Sequence, residues 1–512
     1  MKLPDRTRWG RVVCLSILVA SSVLALLFFA VEIRDLRSPY QRDYGEGHVL
    51  WLTMRMLDSG KAYQPLDNPP YVVCPYTPLF MLTTGLVHML GINLLTAGRA
   101  LSLFSTLGVG VALAFIVVKV TPGRAPLLQR VAGAAFTGVL PLLMDDVLGW
   151  ASLMRVDMLA LFLMYAGVGV YLSAGGREVC LHLSGVLFVL AIFTKQTMIS
   201  GPLACLAVGL LVDPRRTLRV CASAGLLLVA GVACAAAVTH GGFLTHILTY
   251  NRNPFSWKVA GVAVYSHARG SWPWLAAAAA AVFAAWNPRV IRRQGWWRFL
   301  EIRLTNLYGR AVGVAALNCA FAAVLMVTIG KMGASYNHLL AWDISTCLLC
   351  GLLLCRILAS WAIRPNVGRA AAWACALLLF GLLLPPASLV VKALHSLDSP
   401  DRLPADEEVL EIVRRTPGPV FSENLLLPIQ AGRPVLAEPA TLTFLTLDGR
   451  WNERPYVSLF ERQYFGLLVA YDIEFGERYS PALTSAIKGA YVLRQRIGPY
   501  SLYYPRDHAE FR

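Results

Sequence analysis

Apolar positions in this chain arrive in long blocks rather than at the spacing of an amphipathic soluble fold, and the blocks are parted by short polar stretches carrying Arg and Lys. Residues 12–31 form the first block behind Lys2, Arg6, Arg8 and Arg11. Its length fits a spanning helix kept as a permanent anchor, longer than a secretory core. Further spans are predicted at 100–118, 131–144, 158–172, 183–193, 198–212, 220–238, 274–286, 311–329, 339–358 and 370–391. The expected fold class is therefore a polytopic α-helical membrane protein of about eleven transmembrane helices.

Alternating these spans across a bilayer places Lys119/Arg124/Arg130, Arg215/Arg216/Arg219, Arg289/Arg292/Arg293/Arg298 and Arg356/Arg364/Arg369 on one side, the cytoplasmic one. The N-terminus then lies inside and the C-terminus outside. The outer side receives the first loop, 32–99, and the segments 145–157, 240–273 and 331–337. Within the first loop, 78–90 is apolar but short, as expected of an interfacial helix. From about residue 403 the pattern turns to mixed charge with a helix expected over 405–415, short apolar runs at 467–471 and 491–493, and Gly/Pro turns. Residues 1–394 read as the membrane part and 395–512 as a small extracytoplasmic α/β domain.

Composition fits this division: of 512 residues, 56% are hydrophobic and 15% charged, and the formal net charge is +16. With the basic clusters set between apolar blocks, that charge reports topology and attraction to anionic lipid, not nucleic-acid binding. The 11 Cys lie mostly inside apolar runs, including Cys347 and Cys350 at redox-like spacing, so no disulfide framework is expected.

Polar residues that could carry chemistry gather in the outer segments. Asp43-Tyr44-Gly45-Glu46-Gly47-His48 sets two carboxylates and a His in a Gly-interrupted turn. A carboxylate there can take a proton from a hydroxyl, and glycines allow close approach. A plainer reading has Glu46 and His48 capping the next helix. Pro75-Tyr76-Thr77-Pro78 forms an extended entry to the interfacial helix, and Arg99 sits at the outer mouth of the second span. At Arg155-Val156-Asp157 the Asp can cap a helix, while the Arg can snorkel or bind phosphate through its planar fork. Lys195-Gln196 breaks an apolar run, and a Lys there faces protein, water or a ligand. Neither adjoining apolar run contains an acidic partner for it. Lys331, Ser335, Asn337 and His338 add donors in one turn.

Through Asp43 to Gly47, Tyr76-Thr77-Pro78-Leu79, Arg99, Arg155-Val156-Asp157, Phe193-Thr194-Lys195-Gln196-Thr197 and Lys331-Met332-Gly333-Ala334-Ser335, the chain resembles C-type (GT-C) glycosyltransferases. It is most similar to the group of dolichyl-phosphate-mannose protein mannosyltransferases (glycosyltransferase family 39) and bacterial lipopolysaccharide-core transferases. Stretches 418–423, 431–434 and 448–451 resemble the tails of bacterial members. The resemblance implies an inverting transferase of the bacterial inner membrane, with a polyprenyl-phosphate sugar as donor and a lipid, glycan or protein hydroxyl as acceptor. It implies that Asp43 or Glu46 is the base. Lys195, Arg155, Arg99 and Lys331 would meet the donor phosphate, and His48, Tyr76, Asp157, Gln196, Asn337 and His338 would line the substrate. No cofactor is required by this chemistry, and a divalent metal at Asp43/Glu46 stays open. Related transferases commonly carry adjacent Asp-Glu, whereas here Tyr44 and Gly45 separate the two acids. The rival classes are a transporter or flippase of a lipid-linked or small substrate, and a non-catalytic assembly protein.

Overall fold

The structure, a computed structural model, describes residues 6–123, 125–286, 295–363, 379–384, 386–398 and 404–507. Its first half contains helices α1 (Arg6–Arg37), α2 (Tyr44–Ser59), α3 (Leu79–His88), α4 (Leu94–Val120), α5 (Leu127–Val139), α6 (Asp145–Trp150), α7 (Asp157–Ser173), α8 (Glu178–Thr194), α9 (Ser200–Val212) and α10 (Pro214–Val238). Helices Trp257–Gly270, Trp272–Ala285, Trp296–Thr305, Leu307–Met326 and Leu340–Ile363 follow.

Five helical stretches are long and apolar enough to cross a membrane: Gly10–Arg37, Leu94–Val120, Pro214–Val238, Leu307–Gly330 and Leu340–Ala359. Shorter apolar helices pack among them. Ten of the eleven apolar blocks coincide with helices; of the last, residues 370–378 and 385 lie outside the described residues. The Leu340 helix lies deepest, packed on Leu307–Met326, Trp272–Ala285 and α5. By contrast α10 buries none of its residues within the chain, leaving its apolar surface for lipid.

Local signals set the helix ends near the site. Asn93 caps α4 by accepting from the Leu95 amide, and Gly60, at φ 65°, closes α2 in the left-handed region. The short helix α3 occupies the stretch read as interfacial, with Leu82, Leu86, Met89 and Leu90 exposed along it. Cys347 and Cys350 are buried in the helical core as free thiols.

Beyond helix Pro404–Arg415, strands β1 (Val420–Ser422), β2 (Leu467–Ala470), β3 (Tyr491–Ile497) and β4 (Tyr500–Pro505) form one sheet in the order β1-β2-β4-β3. The first pair is parallel and the others antiparallel. This unit docks on the first loop. Tyr71 donates to Leu436 O and accepts from the Glu438 amide (2.8 and 3.0 Å), while Leu66, Tyr71 and Val73 enter the same apolar cluster as Phe421, Tyr456 and Phe460. Arg450 donates to the carbonyls of Thr249 and Arg252, and Trp451 to that of Leu66.

Candidate active site

The acidic turn lies between α1 and α2, and its two carboxylates have separate fates. Asp43, not Glu46 or His48, caps α2: its Oδ1 accepts from the Gly45 amide at 2.9 Å. The same oxygen accepts from Arg155 Nη1 at 2.9 Å. Among the described residues no donor meets Oδ2, and the Asp43 side chain is 24% exposed.

Glu46 is sealed against Arg99, both side chains being 0% exposed. Arg99 Nε and the Met154 amide donate to Oε1 at 2.8 and 2.9 Å; Arg99 Nη2 and the Arg42 amide donate to Oε2, both at 2.8 Å. Burial raises the Glu46 pKa, but Arg99 and the two amides outweigh it and hold the carboxyl below its ordinary range. The remaining Arg99 donors reach the carbonyls of Ser38 and Tyr40. Arg99, read above as a phosphate ligand, is therefore spent on protein, and four donors already occupy the Glu46 oxygens that a base or metal site would use.

Glycines make this packing possible. A Cβ on Gly45 would fall 1.4 Å from Arg155 Nη1, and one on Gly47 would fall 2.8 Å from the Leu426 amide. The close approach at this turn is taken by Arg155 and by the C-terminal unit.

From Arg155 a charged chain runs inward. Its Nε lies 4.0 Å from Asp157 Oδ2, and its guanidinium sits over the Tyr76 ring at 6.0 Å from the centroid. Burial opposes its charge, but Tyr76, Asp43 and Asp157 restore it and push its pKa up. Asp157, fully buried at the start of α7, makes no capping bond. Its Oδ1 instead accepts from Lys195 Nζ and, at 3.0 Å, from Asn337 Nδ2. The partner of Lys195 is thus a protein carboxylate 38 residues back in the chain, in neither of its own adjoining runs. Arg155 Nε, Asp157 Oδ2 and Gln196 Oε1 are buried without hydrogen-bond partners among the described residues.

Lys331 makes no ion pair among the described residues, and partial burial lowers its pKa. It stands close enough to His338, together with Lys195 and Arg155, to help burial drive that imidazole down to about 3. Thr328 gives its hydroxyl proton to Leu325 O (2.6 Å), so His338 Nδ1–H donates to Thr328 Oγ1 (2.7 Å) and Nε2 remains an acceptor. His48 is buried and donates from Nε2 to Val73 O at 2.7 Å, with its pKa lowered by burial. Gln196 Nε2 and Asn251 Nδ2 hold Pro75 O, and Tyr63 OH holds Tyr76 O, which fixes the extended entry.

Three residues at this edge escaped the reading of the sequence. Tyr44 OH donates to Glu438 Oε1 at 2.6 Å, and Arg478 lies over the Tyr44 ring at 4.3 Å from its centroid while pairing with Glu423. No local signal joins Tyr44 to a residue 394 positions away; the stretches 418–423, which contains Glu423, 431–434 and 448–451 pointed only to this part of the tail.

Apolar helices, five of them long and apolar enough to cross a membrane, gather a cluster of charged side chains at one end, against which the α/β unit packs, and this fold recurs in solved structures. Solved structures that share it include ArnT from Cupriavidus metallidurans bound to undecaprenyl phosphate, at TM-score 0.56 and 16% identity over 95% of this chain and 97% of that one. Another is the archaeal oligosaccharyltransferase AglB from Archaeoglobus fulgidus in complex with an inhibitory peptide and a dolichol-phosphate, at TM-score 0.51 and 12% identity over 96% and 74%. No family profile and no curated protein sequence matches the chain.

Proposed function

We propose that the chain is an inverting glycosyltransferase that moves a sugar from a polyprenyl-phosphate donor to a hydroxyl of a lipid, glycan or protein acceptor at the outer face of the membrane. The observation that carries this reading is the Asp43 carboxylate: among the described residues both of its donors meet Oδ1, which leaves Oδ2 to take a proton beside a cluster of fixed cations. The solved ArnT complex with undecaprenyl phosphate supports a lipid-phosphate ligand for this fold.

In this mechanism Asp43 Oδ2 accepts the acceptor's hydroxyl proton as the oxygen attacks the anomeric carbon. The bond from that carbon to the phosphate oxygen breaks on the opposite face, which inverts the centre and leaves its electron pair on the lipid phosphate. General-base help of this kind contributes roughly 10²- to 10⁴-fold. Lys331 and Arg155 neutralise the charge gathering on the phosphate, where fixed cations in a partly dry site act strongly. Lys195 and Arg99 act behind them, holding Asp157 and Glu46. In the same reading the N-terminus is cytoplasmic, the 395–512 unit extracytoplasmic, and the bacterial inner membrane the location.

The test is transfer by the purified full chain in detergent, with undecaprenyl-phosphate sugars as donors and release of undecaprenyl phosphate as readout. Turnover that is lost in Asp43→Asn supports the reading. Absence of turnover with every donor, alongside movement of a lipid-linked sugar across sealed vesicles, would replace it with the transporter class. Mass analysis of glycolipids and glycans from a deletion strain names sugar and acceptor.

A further inference from the structure

Apart from the charged pocket, one cluster of titratable side chains joins three distant segments. Asp146 comes from α6, His267 from helix Trp257–Gly270, and Asp343 from the first turn of helix Leu340–Ile363. His267 Nε2 lies 2.8 Å from Asp343 Oδ1, and Nδ1 lies 3.4 Å from Asp146 Oδ2. One donor atom from each of the three falls within 4.8 Å of the others.

The charge there is out of balance. Two carboxylates face one imidazole, and no Lys or Arg pairs with any of the three among the described residues. Asp343 is 0% exposed, and its Oδ2 meets no hydrogen-bond donor among the described residues, while the Asp343 carboxyl lies against that of Asp146. A buried carboxylate oxygen with no donor is costly unless a proton or cation meets it. The Trp342 ring closes one side of His267, at 5.2 Å between centroids, while Asp146 and His267 keep 17% and 13% exposure, enough for entry from solvent.

We propose that Asp146, His267 and Asp343 form a binding site for one divalent cation of the zinc class. An imidazole nitrogen with two carboxylate oxygens suits Zn²⁺ better than Mg²⁺ or Ca²⁺, which prefer oxygen alone. One imidazole nitrogen binds one ion: with Nδ1 in that role, its 3.4 Å to Asp146 Oδ2 matches the about 3.4 Å between ligand atoms of a tetrahedron with bonds of roughly 2.0–2.2 Å, Nε2 keeps its contact with Asp343 Oδ1, and the donorless Asp343 Oδ2 would be the third ligand. Water completes the fourth position. The ion would staple the segment that leads into Arg155 and Asp157 to the helix that follows Asn337 and His338. It would thereby fix two arms of the charged pocket without touching substrate.

The experiment is a binding measurement, independent of the transferase reading. The full chain, purified in detergent with a histidine-free affinity tag and stripped with a chelator, is titrated with ZnCl₂ and analysed for bound metal and by X-ray absorption. One zinc per chain is expected, with nitrogen and oxygen ligands, one imidazole and no sulfur, together with a raised unfolding midpoint. Asp146→Asn, at the partly exposed ligand, and His267→Gln should each weaken binding by more than the roughly 10- to 100-fold typical of losing an outer partner, in protein that still elutes as a single species. Sulfur ligation, no stoichiometric zinc, or full binding retained in both variants would overturn the site. So would stabilisation by mild acid with no response to zinc, the mark of a proton shared by Asp146 and Asp343.

Discussion

Asp43 and Glu46 stand three residues apart on one turn, each paired with an arginine, and the two pairs do opposite work. The Glu46–Arg99 pair is closed on every side, with two donors on each carboxylate oxygen and no exposure. The Asp43–Arg155 pair is open: one oxygen carries both donors, the other meets none among the described residues, and the Asp43 side chain is 24% exposed. A carboxylate held by four donors is a clamp between the first loop, α4 and the segment before α7, because protonating it would break the pair. A carboxylate with a bare oxygen at a solvent edge can accept a proton. Both are carboxylates beside an arginine; coordination separates the scaffold acid from the one proposed as base.

The largest break in this comparison is Asp43→Asn. Turnover should fall by roughly 10²- to 10⁴-fold with an unfolding midpoint close to that of the parent, because Oδ1 still caps α2. Turnover near the parent's would make Asp43 a cap alone. Arg99→Met should do the converse, destabilising the protein by about 3–5 kcal/mol because Glu46 is left buried and unpaired. Thermal unfolding in detergent measures this, and recovery is expected when Glu46→Leu is added.

Smaller effects sharpen the contrast. Lys331→Met should cost about 10- to 100-fold in kcat/KM for the lipid donor, the worth of a charged hydrogen bond, without lowering the midpoint. Lys195→Met should lower both, because Asp157 loses its cation. Gly45→Ala should reduce kcat by roughly tenfold, equivalent to about 1.4 kcal/mol, as its methyl displaces the guanidinium from Asp43. A parent-like kcat there would remove Arg155 from the mechanism.

A further effect concerns pH. His338 is held neutral, its pKa driven down to about 3, whereas an unfolded histidine titrates near 6.5. Below pH 6.5 the unfolded state binds more protons than the folded one, so stability falls as pH drops toward 3, by at most about 1.4 kcal/mol per pH unit from this group. His338→Gln should flatten that slope in unfolding midpoints measured from pH 7 to 4.5; an unchanged slope would assign it to other groups, among them His246, lowered to about 4.

Much of the frame was readable along the chain because lipid imposes a one-dimensional rule: a helix that spans it is a continuous apolar run. That rule located α1, α4, α10 and the Leu340 helix, as well as the short apolar helix α3. The acidic turn, Arg155-Val156-Asp157 and Lys195 stood out for a related reason, since charges beside apolar blocks need a partner. Which partner each takes is not a local property. Neither apolar run beside Lys195 contains an anion, and its partner comes from α7 instead.

What the sequence by itself determined is the set of apolar helices, the polar segments between them and the list of charged residues with work to do. Tertiary structure decided the division of labour: Arg99 closes on Glu46 across 53 residues, Lys195 on Asp157 across 38, and Glu438 reaches Tyr44 across 394. Burial along a helix is encoded residue by residue through transfer free energy, whereas an ion pair depends on distance and direction between side chains that only the folded bundle brings together.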